Sequence, residues 1–147
     1  MTAQTEAAGP VTAEMYAEIN AFYARHMRHL DDGRTDAWAA GFTEDGVFAQ
    51  NVVPEPCRGR AAIAELGRTA LAGLAERGLV RRHWFGMVDA EQRADGTVHT
   101  MYYALVFETP RGGKGVFHLS CTGADILVRH DGEWLVQDRL VVHDATD

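Results

Sequence analysis

Only two cysteines occur in the 147 residues, and Cys57 and Cys121 form no Cys-x-x-Cys pair. The scarcity excludes a short disulfide framework and fits a reducing, cytoplasmic compartment, with Cys121 a packing residue of an apolar strand. Long hydrophobic runs are missing as well. The apolar stretches are strand-sized, far below the roughly 20 residues that span a bilayer. Met1 to Pro10 has neither a positively charged start nor an apolar core, so neither membrane insertion nor export is expected. Clustered basic residues are also scarce. With a net charge of -7, a pI near 5.4 and Arg81-Arg82 as the densest basic pair, no nucleic-acid partner is expected.

The usual catalytic signatures are absent too: no Gly-x-Gly-x-x-Gly after a strand, no phosphate loop, no Gly-x-Ser-x-Gly elbow and no His-Glu-x-x-His. Nucleotide, phosphoryl-transfer and serine-hydrolase chemistries therefore lose support. The one close histidine pair, His26 and His29, lies three apart on a helix with His29 toward solvent, so no metal or other cofactor is expected. What is present is ordinary globular usage, 46% hydrophobic and 24% charged, in a length that suits one domain.

The first eleven residues, without apolar period and closed by Pro10, read as a flexible leader before a single domain over 12–147. From Thr12, a candidate N-cap, apolar residues at Met15, Ile19, Phe22, Met27 and Leu30 describe an amphipathic helix that Asp31-Asp32-Gly33 ends. A short second helix capped by Thr35 carries Trp38 and Phe42 inward, and Asp45-Gly46 turns the chain into a strand from Val47 to Val53, broken by Pro54 and Pro56. Gly59 to Arg77 repeats the helical period and Gly78 stops it. The period then changes, giving strands at His83 to Asp89, Val98 to Phe107, Val116 to Arg129 and Trp134 to His143. Short turns between sequential strands imply an antiparallel meander, so the fold class is α+β, with helices covering one sheet face.

With no metal or cofactor motif, acid–base chemistry by histidine is the remaining candidate, because its pKa lies near neutrality. His99, His130 and His143 fall at strand ends or turns and read as solvated. His83 opens a strand beside Trp84 and Phe85, where burial favours a neutral base. His118 interrupts an apolar run, and its strand face continues through Ser120 and Thr122, either as pocket wall or as solvent face. Asp31 and Asp32 sit at the end of a helix dipole that disfavours them, so a carboxylate there needs another partner, a histidine or an arginine. Tyr102 and Tyr103 point to opposite faces of one strand. Arg139, in the apolar strand Leu135 to Val142, needs a partner or an anionic oxygen to hold.

Four local patterns coincide: Leu30-Asp31-Asp32-Gly33-Arg34-Thr35-Asp36-Ala37-Trp38-Ala39-Ala40-Gly41-Phe42, Glu44-Asp45-Gly46-Val47-Phe48, Arg58-Gly59-Arg60-Ala61-Ala62-Ile63, and Asp131-Gly132-Glu133-Trp134. Through them the chain resembles the SnoaL-like branch of the nuclear-transport-factor-2-like superfamily, over about residues 12 to 144. The resemblance implies a cone of three N-terminal helices packed on a curved, mainly antiparallel sheet. It includes polyketide cyclases, isomerases and scytalone dehydratase, but also the non-catalytic small subunits of aromatic-ring dioxygenases. The dehydratase-like members place an aspartate at the end of helix one and a histidine at the start of the first meander strand, positions that Asp31 and His83 match. Where those members carry tyrosines, this chain has Leu30 and Gln50.

The resulting expectation is a cofactor-free enzyme that cyclises, isomerises or dehydrates a small cyclic, polyketide-type substrate. His83 would be the base, oriented by Asp31, with His118 as a reserve acid. Tyr102, Gln50 and Arg139 would bind substrate oxygens, while His26, Phe48, Trp84 and Val141 shape the cavity. A homodimer through the exposed sheet face is expected. The alternative is an accessory or binding subunit whose pocket is packed shut by Trp84, Phe48 and Tyr102.

Overall fold

In a computed structural model, residues 7–144 are described, and they form three helices against one seven-stranded curved sheet. The first helix, α1 (Ala13–Asp31), starts where Thr12 accepts the Met15 N–H in its side-chain oxygen at 3.1 Å. Ile19, Phe22, Tyr23, His26 and Met27 are its buried stripe, the spacing that one helix face presents to a core. The helix ends at Asp32, and Gly33 takes the left-handed conformation, φ 82°, that the stop requires.

The short helix α2 (Thr35–Ala39) differs from expectation at its start. Arg34 is its N-cap residue without a side-chain bond, and Thr35 is its first, buried residue. Trp38 and Phe42 turn inward as expected. A strand also precedes α1: Ala7–Pro10 form β1, paired antiparallel to a later strand through Gly9 with Gln92 and Pro10 with Glu91. The expectation of a leader without structure up to residue 11 is thus corrected for residues 7–10, while its first six residues lie outside those described.

The strand β2 (Phe42–Gln50) begins earlier than its sequence pattern suggested, because Asp45-Gly46 is not a turn between elements. The register on the neighbouring strand slips between Phe42 and Val47, so this stretch is a bulge within one strand, and the Gly59 N–H bonds the Gly46 carbonyl at 2.7 Å. Two residues, β3 (Cys57–Arg58), pair back onto β2 before α3 (Arg60–Glu76). The meander then runs β4 (Leu79–Arg93), β5 (Val98–Pro110), β6 (Val116–His130) and β7 (Glu133–His143). Its strands pair antiparallel in sequence order, as expected, whereas β2 joins β7 in parallel, giving the order β1-β4-β5-β6-β7-β2-β3. That parallel pairing places β2 on the far side of the cone from β4.

Because β4 starts at Leu79, His83 lies within the strand opposite Val106 and does not open it. The two tyrosines of β5 alternate as predicted: Tyr102 is 2% exposed and Tyr103 57%. Ile19, Phe42, Ile63, Val98, Leu127 and Val136 form the centre of the core with no exposed surface, each worth about 1.5–3 kcal/mol of burial.

Candidate active site

Between the C-terminal turn of α1, the inner face of α3 and the concave sheet lies a cavity of about 330 Å³, within the range of small-molecule sites. Leu66, Ala70 and Leu71 of α3 give it an apolar roof, and Ala104, Val106, Leu119 and Cys121 give it an apolar floor. Leu66 and Leu71 are each 36% exposed although apolar, and both face this space.

Asp31 and His83 meet on its wall. The Asp31 carboxylate accepts the His83 backbone N–H at 3.0 Å through Oδ2, and its Oδ1 lies 2.7 Å from Nδ1 of the same residue. A carboxylate only accepts, so Nδ1 carries a proton, and the tautomer this selects for the neutral ring has its lone pair on Nε2. The last residue of α1 and the middle of β4 are brought together by helix-on-sheet packing, and the paired carboxylate answers the need set by the helix end. Both side chains line the cavity and are mostly covered, 12% and 21% exposed.

Four more of the expected residues line the same space: Phe48, Gln50, Arg139 and Val141. Arg139 does so as part of a buried network. Its Nε and Nη2 donate to the two oxygens of Asp125 at 3.0 and 2.9 Å, and its Nη1 lies 3.0 Å from His26 Nε2. Tyr102 and Tyr23 donate to the same carboxylate at 2.9 and 2.8 Å, and Tyr23 is 2.5 Å from the Thr100 hydroxyl. Burial works against the Arg139 charge, yet Asp125 holds its pKa above the ordinary value. Burial also raises the phenols of Tyr23 and Tyr102 well above the usual tyrosine range. The guanidinium has five N–H donors; these contacts engage Nε, Nη1 and Nη2, and the side chain borders the cavity while being only 1% exposed.

The remaining four expectations are corrected. Tyr102 faces inward but stacks under Phe85, ring centroids 4.1 Å apart, with its hydroxyl on Asp125, so it stands behind the cavity wall. His26 is in the core against Arg139 and lines a separate cavity between α1 and the start of β7. Burial, then the Arg139 charge, push its pKa well below the ordinary histidine value, leaving a neutral ring. Trp84 stands between two cavity-lining residues, His83 and Phe85, so strand alternation turns it to the outer face, where it is 65% exposed. His118 is the extra residue of a bulge between the pairs Val106–Leu119 and Phe107–Phe117; it is not part of the cavity lining and contacts the Glu108 carboxylate at 3.3 Å.

Sequence reasoning missed Asp125 and His143. The partner that Arg139 requires is Asp125, which faces it across β6 and β7; the signal was a second charge in an otherwise apolar strand. His143, read as a solvated strand end, lines the cavity beside Gln50. Among the described residues no group of three His, Cys, Asp or Glu is placed to hold a metal ion, and no described helix is long and apolar enough to cross a membrane.

The sequence profile of the SnoaL-like domain matches residues 11–140. Among solved structures, Aln2 from a Streptomyces species is 32% identical with a TM-score of 0.85, over 92% of this chain and 94% of that one. ActVI-ORFA from Streptomyces coelicolor is 34% identical with a TM-score of 0.85, over 92% and 99%. A protein from Catenulispora acidiphila, solved in complex with S-DNPA, is 37% identical with a TM-score of 0.78, over 90% and 96%. No curated protein matches the chain significantly.

Proposed function

The chain belongs to the SnoaL-like family, and from that premise we propose that it is a cofactor-independent acid–base enzyme acting on a small cyclic, polyketide-type substrate. The observation that carries the reading is the pair of hydrogen bonds by which Asp31 fixes the ring and backbone of His83 on the wall of an open cavity. His83 Nε2 takes a proton from a carbon activated by a neighbouring carbonyl, and Asp31 stabilises the imidazolium that forms. The electron pair moves onto the carbonyl oxygen, whose negative charge is met by the Arg139 guanidinium at the cavity wall. The imidazolium then returns its proton: to a hydroxyl leaving group in a dehydration, to carbon in an isomerisation, or, in a cyclisation, to the oxygen of a second carbonyl that the enolate carbon has attacked. A positioned acid–base pair supplies on the order of 10² to 10⁴ in rate, which suffices for a β-carbonyl or phenolic substrate.

The accessory-subunit alternative required a cavity filled by Trp84, Phe48 and Tyr102. Trp84 lies on the outer face and Tyr102 behind the wall, which leaves the space open and favours the enzyme. A homodimer in the cytoplasm completes the proposal, supported by the apolar residues that the outer sheet face exposes, among them Trp84, Met101, Tyr103 and Leu140.

The test is His83→Ala beside wild type, with turnover and ligand-induced thermal stabilisation measured against a panel of polyketide-type compounds. Turnover is expected to fall by at least about 100-fold while the fold and the thermal stabilisation persist. A wild type that turns over nothing and co-purifies with a larger subunit refutes the enzyme reading.

A further inference from the structure

The wall of the cavity opposite the dyad carries a second polar pair. At the adjoining ends of β2 and β7, His143 Nε2 lies 3.3 Å from Gln50 Oε1, and both side chains line the cavity. Their backbones are clamped. The His143 N–H donates to Asn51 Oδ1 at 2.9 Å, Asn51 Nδ2 donates to the His143 carbonyl at 3.3 Å, and the Asn51 N–H meets the Val141 carbonyl at 3.2 Å. On the other side, Asp144 is tied to Ser120 through its backbone N–H at 3.0 Å and its carboxylate at 2.5 Å. Two strand ends held this way set the side chains in place more firmly than free termini could.

When the ring N–H at Nε2 donates to the Gln50 carbonyl, two groups stay open: the Gln50 amide N–H pair as donor and His143 Nδ1 as acceptor. His83 on β4 and His143 on β7 are separated by three strand spacings, about 14 Å along the sheet, and the curvature brings their tips closer together. Between them the floor is apolar, with Ala104, Val106, Leu119 and Cys121. We propose that Gln50 and His143 form a recognition pole for a hydroxyl or carbonyl oxygen at the end of the substrate remote from the reacting carbon. The substrate is then a flat, apolar fused-ring compound with oxygens at both ends. This rests on the cavity being the substrate site; it assigns His143 a specificity role and leaves the proton transfer to His83.

The test uses 2-naphthol and 2,6-dihydroxynaphthalene, which differ by the distal hydroxyl, titrated calorimetrically against wild type, Gln50→Leu, His143→Leu and the double variant. Wild type is expected to bind the dihydroxy probe about 5- to 10-fold more tightly, as one or two hydrogen bonds allow, and the double variant to prefer it by less than about twofold. His143→Gln, which keeps a donor and an acceptor, is expected to retain most of the preference, separating hydrogen bonding from packing. Thermal unfolding of each variant confirms that the Asn51 clamp still holds the fold. A preference unchanged in the double variant, or no preference in wild type, overturns the proposal whatever the turnover of His83→Ala. Preference lost in the double variant together with undiminished turnover in His83→Ala upholds this pole and overturns the acid–base reading alone.

Discussion

Replacing Asp31 by asparagine removes the charge from the dyad while keeping its shape, and the geometry dictates the outcome. The carboxylate receives two donors from His83, the backbone N–H at 3.0 Å and Nδ1–H at 2.7 Å. An amide offers one acceptor and one donor group. The backbone N–H cannot change, so it takes the amide oxygen, and the NH₂ faces Nδ1. The ring then accepts there, the proton moves to Nε2, and the nitrogen needed as base is blocked. Two charge-assisted bonds become neutral, which costs the fold about 2 kcal/mol, or a melting shift of roughly 6 °C. The rate is expected to fall on the order of 10² to 10⁴, the consequence of a wrong tautomer. Two assays read the two effects: ¹⁵N chemical shifts of the His83 ring report the tautomer, and turnover with the best compound of the panel reports the rate. A ring that keeps its proton on Nδ1 in Asp31→Asn, with turnover near wild type, refutes the orienting role.

Asp125→Ala strips Arg139 of its carboxylate inside the core and is expected to cost about 3–5 kcal/mol, measured by urea unfolding; a loss below about 1 kcal/mol would mean that water or a neighbour replaces the carboxylate. His26, neutral in the fold because burial and then Arg139 depress its pKa below 6.5, contributes stability that is present above pH 6.5. It is lost as pH falls toward the folded-state value, at up to about 1.4 kcal/mol per pH unit, because the unfolded chain takes up the proton first. His26→Gln is expected to flatten stability between pH 6.5 and 5 in urea titrations relative to wild type, and an unchanged slope would show that other groups set it. Trp84→Lys with Met101→Lys places charges on the outer face and is expected to give monomers in sedimentation equilibrium with ligand stabilisation intact; a mass unchanged from wild type places the contact elsewhere.

The architecture was legible because it is written in local pattern. The period of α1, the glycine stops and the alternation along β5 and β6 each report their own neighbourhood. Asp31 and His83 were legible as a pair through the resemblance; the helix C-terminus by itself advertised only a carboxylate with a missing partner, histidine or arginine. What could not be read was depth. Tyr102 faces inward, as its alternation says, but only packing places Phe85 over it. Trp84 could be assigned to a face only once His83 was known to line the cavity, and His118 escaped alternation because a bulge falls on it. His143 looked solvated because a terminal strand residue has no local signal for the Asn51 side chain that reaches it across β2. The structured part of the leader escaped for the same reason, as Ala7–Pro10 has no apolar period and gains its strand from β4.

The parallel seam between β2 and β7 also sets an order of assembly. Asn51 and His143, bonded across it, stand 92 residues apart in sequence. Contacts of such separation are entropically late and slow the folding of sheet-rich domains toward the millisecond-to-second range. The hairpins of β4 to β7 can zip from their own turns, so the meander is able to form before β2 docks. Until then the chain holds a dyad with only one wall, and closing the seam is the event that turns a sheet into a vessel.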